Sequence, residues 1–80
     1  MKAIVHIRPR SGVLDPQGQA VAGALKHMGF DEVLSARQGK IIELELGDDD
    51  EQAVRQRVQK MCEHLLANTV IEDFSISIEP

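Results

Sequence analysis

This chain of 80 residues has no tryptophan, no tyrosine, two phenylalanines and one cysteine. Two aromatics leave no platform on which successive bases could stack. Positive charge is scarce as well: 9 Lys and Arg stand against 13 Asp and Glu, for a net charge of −4. That balance disfavours binding nucleic acid through phosphate neutralisation. The lone Cys62 can form no disulfide within the chain, and no Cys/His set has structural-zinc spacing. No apolar run approaches the roughly 20 residues that cross a membrane. The opening MKAIVHIRPR alternates and carries charge early, unlike the apolar run of a secretory signal. These absences predict a soluble, cytoplasmic protein that binds neither nucleic acid nor membrane.

Eighty residues make one domain, residues 1–80, and a chain of that size buries only about 60% of its unfolded surface. With neither disulfide nor metal to staple it, association with other subunits is the expected source of extra stability.

Residues 2–8, KAIVHIR, alternate Ala3, Val5 and Ile7 against Ile4 and polar groups, a half-buried strand ending at Pro9. Asp15 offers an N-cap carboxylate and Pro16 suits the first helical position. Ala20, Val21, Ala24, Leu25 and Met28 recur at helical spacing before Gly29, predicting a helix over 16–28. Between Val33 and Leu46, Ile42, Leu44 and Leu46 alternate with Glu43 and Glu45 as in a strand. Gly39 either bends this stretch or divides it in two. Gly47 to Asp50 supplies a break and possible N-caps. A second helix over 50–67 follows, with Val54, Val58, Met61, Cys62, Leu65 and Leu66 as its buried stripe. Arg55, Gln59, Lys60 and Glu63 fall elsewhere on it and read as solvated. A last strand, Ile71 to Ile78, places Phe74, Ile76 and Ile78 on one face. The expected class is α+β, ordered β-α-β-α-β, or β-α-β-β-α-β in the ferredoxin-like manner if Gly39 divides the strand. Two helices cover one face of a mainly antiparallel sheet, and the incompletely covered opposite face invites a second subunit.

No catalytic set assembles from the residues. Cys62 lies in the apolar stripe, where a thiol is inert. Cys62 and His64 point to different sides of a helix and cannot share a metal, while His6 and His27 belong to other elements. Gly39-Lys40 resembles the end of a phosphate loop, but Leu34 and Ile41 occupy positions that need glycine and Ser or Thr. Glu43 and Glu45 share a strand face about 7 Å apart and read as an acidic edge or subunit contact. Arg8 and Arg10 flank Pro9 ahead of Ser11-Gly12, a possible small anion site. Asp15, already at the cap, opposes that reading and favours ordinary turn chemistry.

Three separated blocks, GVLDPQGQAVAGALKHMGF, ARQGKIIELEL and MCEHLLANTVIEDFSISIE, closely resemble the PurS family, the small subunits of phosphoribosylformylglycinamidine synthase. The likeness covers nearly the whole chain in register. It implies a non-catalytic role in purine biosynthesis, within a complex whose glutaminase subunit releases ammonia. A large synthetase subunit there uses ATP and magnesium to activate the amide oxygen of formylglycinamide ribonucleotide. The resemblance implies no cofactor in this chain itself. It implies a homodimer or dimer of dimers that bridges the other two subunits and supports ammonia transfer. The positions that match the family are Gly12, Leu14, Asp15, Pro16, Gln17, Gly18, Gly39, Lys40, Asn68, Ile71, Glu72 and Asp73. As candidate partner contacts the resemblance points to Asp15, Gln17, Gly18, Gly39 and Lys40, with Arg37 beside them. Gln17, Arg37 and Lys40 are the three least explained by folding. Arg8-Pro9-Arg10 departs from the Lys-Pro sequence of the family at this place, which bears on contacts near the first loop.

Two other classes compete. A small-molecule sensor of ACT-like type would share the split fold, though the expected effector-side glycine turn is not obvious. A free-standing acylphosphatase needs an arginine in a first-loop cradle and a positioning asparagine. The chain has one asparagine, Asn68, and it follows the second helix.

Overall fold

Alternation of side chains builds the sheet first. In a computed structural model that describes residues 1–47 and 50–79, the strands are β1 (Lys2–Pro9), β2 (Lys40–Glu45) and β3 (Glu72–Glu79). They form one antiparallel sheet in the order β2-β1-β3. The register sets Ala3 between Leu44 and Ile78, and Val5 between Ile42 and Ile76; Ile7 lies between Lys40 and Phe74. Cross-strand partners share a face, so the apolar residues line up on one side, as their spacing predicts. Lys2, Ile4, His6 and Arg8 take the other side with Glu43, Glu45, Asp73 and Glu79.

The first helix, α1 (Pro16–His27), begins at Asp15 and ends in a Schellman turn. Phe30 N–H donates to Leu25 O and Gly29 N–H to Lys26 O, each at 3.0 Å. Gly29 takes φ +102°, a left-handed conformation open to glycine at little cost. The second helix, α2 (Glu51–Met61), is capped by Asp50, whose carboxylate accepts from Gln52 and Ala53 N–H. Asp48 and Asp49, the other caps offered by sequence, lie outside the described residues.

Ala3, Val5, Ile7, Val54, Val58, Cys62 and Ala67 form the buried cluster, with the half-buried apolar residues of β2 and β3 packed around it. Arg55 does more than solvate α2: its Nη1 donates to Ile76 O at 3.1 Å, tying helix to sheet.

Three expectations need correction. First, the strand expected from Val33 begins only at Lys40; Gly39 precedes it, and the three strands among the described residues follow the β-α-β-α-β alternative of the expected α+β class. Gly39 backs so closely onto the Ile7 carbonyl that a Cβ would collide with it; close approach, not a hairpin, explains this glycine. Second, the cover of the sheet comes from α2, since α1 contributes no residue to the buried cluster. Its buried positions are Gly18 and Ala22, while Val21 and Met28 of the expected stripe are exposed. Third, α2 passes into a π-helical turn, Cys62–Leu66, marked by Ala67 N–H donating to Cys62 O at 3.0 Å. A π turn holds one extra residue. Leu66 therefore takes the inward place, Leu65 stands 84% exposed and Met61 38% exposed.

Candidate partner-binding surface

The loop after β1 is anchored by Arg10. Its backbone N–H donates to Ile71 O at 2.8 Å, and its Nε and Nη2 donate to Thr69 O at 3.0 and 2.7 Å. Nη1 lies 3.2 Å from Asp73 Oδ1. Arg10 is thus committed to the approach to β3 rather than to an anion cradle with Arg8. The receiving turn is locked in the same way. Asn68 N–H donates to Glu72 Oε1 at 2.8 Å, and Asn68 Oδ1 accepts from Val70 N–H at 3.2 Å. Asn68, Glu72 and Asp73, which match the family, have structural work to do.

Asp15 joins two stretches distant in sequence. Its Oδ1 accepts from Gly18 N–H at 3.0 Å, as an N-cap should. Its Oδ2 accepts from Gln38 N–H at 2.7 Å, which fastens the segment ahead of β2 against the start of α1. The Gln38 N–H, then that of Gly18, holds the Asp15 carboxyl below its ordinary range, with Gln17 N–H and the Arg37 guanidinium adding to them. Hydrogen bonds to the ionised form outweigh desolvation here. Gly18 is buried beneath the clasp: a Cβ there would strike the Ala36 carbonyl and lie 2.7 Å from Asp15 Oδ2. Arg37 Nη2 donates to Pro9 O, closing the segment onto the end of β1.

The six candidate contacts therefore divide by role. Asp15, Gly18 and Gly39 shape the backbone, whereas Gln17, Arg37 and Lys40 are exposed on it. A cavity of about 410 Å³ lies between Ser11–Asp15 and Ser35–Arg37. A second, of about 660 Å³, sits around His6, Arg8, Gly39, Lys40, Ile41 and Ser75. Together they make a corrugated end to the sheet, with three cationic side chains, Arg8, Arg37 and Lys40.

Cys62 is fully buried, and burial, then the Glu63 charge, pushes its thiol up, the opposite of an activated nucleophile. Among the described residues no three His, Cys, Asp or Glu side chains gather into a metal-holding group. No helix among them is long and apolar enough to cross a membrane. Two features escaped sequence reasoning: the reach of Arg10 across 59 residues to Thr69 and the π turn. No local pattern signals the first; the paired Leu65-Leu66 is compatible with either register of the second.

A small α+β chain with a buried inert thiol, a polar cationic sheet end and apolar side chains left facing solvent has the make-up of a binding partner in a larger assembly. The chain belongs to the PurS family: the family model described as phosphoribosylformylglycinamidine (FGAM) synthase matches residues 2–80. It is 48% identical over 80 residues to the phosphoribosylformylglycinamidine synthase subunit PurS of Mycobacterium leprae, covering 98% of this chain and 95% of that one. Among solved structures it resembles Methanocaldococcus jannaschii PurS, one of the subunits of formylglycinamide ribonucleotide amidotransferase. The TM-score there is 0.87 and the identity 38%, over 98% of this chain and 94% of the other. A chain in the structure of PurLQS from Thermotoga maritima matches with a TM-score of 0.84 and 32% identity, over 95% and 93% of the two chains.

Proposed function

We propose that this chain is the non-catalytic assembly subunit of a phosphoribosylformylglycinamidine synthase in purine biosynthesis. It bridges the glutaminase and the ATP-dependent synthetase subunits and supports ammonia transfer between them. The observation that carries this reading is the near full-length likeness to PurS chains, one of them from PurLQS. On this reading ATP and magnesium belong to the synthetase partner, and the complex works in the cytoplasm. A sensor of ACT-like type is not favoured beside matches of this extent.

Self-association as a homodimer or dimer of dimers belongs to the same proposal and has support in shape and exposure. The Cα radius of gyration is 16.0 Å and the principal extents are 49 × 25 × 14 Å, whereas a chain of this length packed on its own has a radius near about 12 Å. Met28 and Leu34, at the C-cap of α1 and beyond it, are 70% and 88% exposed. Apolar surface of that kind calls for cover by another chain. Gln17, Arg37 and Lys40 are assigned to contacts with the glutaminase or synthetase subunits; Asp15, Gly18 and Gly39 hold them in place.

Sedimentation velocity of the chain alone, then mixed with both subunits, tests the proposal. A dimer or tetramer alone, and a faster three-component species in the mixture, are expected. Lys40→Ala should leave the first unchanged and weaken the second. A chain that stays monomeric and joins neither subunit refutes the reading.

A further inference from the structure

The π turn has a consequence for the outer face of α2. Val54, Val58 and Cys62, spaced by four, turn inward and are fully buried. Continued α-helical spacing would send Leu65 in behind them. The extra residue of the π turn instead sets Leu65 outward beside Met61. Arg57, Lys60, Met61, His64 and Leu65 consequently line one shallow cavity of about 420 Å³. The stripe spans about 12 Å along the helix axis. Its floor is the exposed pair Met61 and Leu65, and its rim is basic in a chain whose net charge is −4. No carboxylate lines it; Glu63 Oε2 turns aside to accept from Gln59 Nε2 at 3.5 Å.

Charge decides what fits there. A two-fold contact between copies of this chain through the same stripe would gather the Arg57 and Lys60 charges of both copies along one seam that no carboxylate lines. An apolar ridge flanked by carboxylates meets both the floor and the rim, and a helix matches the two-turn length of the groove. We infer that the Arg57–Leu65 stripe is the seat of an acidic amphipathic helix of a partner subunit, packed on Met61 and Leu65 and paired with Lys60 at the rim. This seat rests on the assembly reading above and is separate from the surface around Lys40.

Lys60→Glu and Leu65→Asp test it, since both side chains are exposed and neither belongs to the buried cluster. The full-length chain is titrated with the glutaminase and synthetase subunits, with melting temperature and sedimentation of the chain alone measured alongside. Each variant is expected to weaken binding of one subunit by about tenfold or more while melting and self-association stay unchanged, and Lys60→Arg should restore the affinity. If the unaltered chain binds and both variants bind equally well, the seat is wrong and the assembly reading survives. If the unaltered chain binds neither subunit, both fall together. Loss of self-association in Leu65→Asp would mean that a second copy covers the stripe. Co-sedimentation with phosphatidylglycerol vesicles, abolished by Lys60→Glu, would mean that it meets lipid. Either result overturns the proposal.

Discussion

Asp15 does two jobs with one carboxylate, and that predicts how the molecule responds to acid. Its pKa is lowered in the folded chain, chiefly by the Gln38 and Gly18 N–H groups. The stabilisation this brings is therefore complete above the ordinary carboxylate pKa of about 3.9 and is lost as pH falls through the lowered folded value. Protection of the Gln38 and Gly18 amides against exchange, taken relative to their intrinsic rates, should fall over that acid window in the unaltered chain and not in Asp15→Asn, which keeps a capping oxygen but has no charge to titrate. Gly18→Ala should destabilise by about 1–3 kcal/mol in denaturant titration, because the added methyl meets a backbone carbonyl that cannot swing away. The Asp15-Pro16 cap is legible in the sequence as a local pattern. The second bond of the same carboxylate is not, because its donor lies 23 residues further on.

At the scale of elements, the three strands read directly from alternation, since a half-buried sheet enforces a period of two. Helix α2 reads well up to Met61 and then departs from its pattern. The expected stripe counts both Leu65 and Leu66 as core, and the π turn keeps Leu66 inward while turning Leu65 out. The difference is measurable. Leu66→Ala should cost about 1–3 kcal/mol of unfolding free energy as a partly buried truncation, and Leu65→Ala less than about 0.5 kcal/mol. The opposite ranking would restore an unbroken α-helix. Helix α1 shows the limit of such reading from the other side. Its caps and bounds follow from Asp15, Pro16 and Gly29, but an amphipathic period cannot say which molecule covers the apolar face. Within this chain, Val21 and Met28 remain uncovered.

On the scale of the whole molecule, the long outline, the cluster drawn from β1, α2 and the π turn with its cap, and the outlying apolar side chains describe a chain built to be completed by others. Family membership was legible in the three blocks that run the length of the sequence. The seat on α2 was not, because it depends on one residue's worth of helical register. In the function proposed above, this chain assembles an enzyme without doing its chemistry. The most direct test of that proposal is glutamine-dependent ATP hydrolysis with formylglycinamide ribonucleotide, measured for the glutaminase and synthetase subunits with and without this chain. Activity that appears only when all three are mixed, while this chain alone is inert, is the predicted result; full activity from the other two without it would contradict the account.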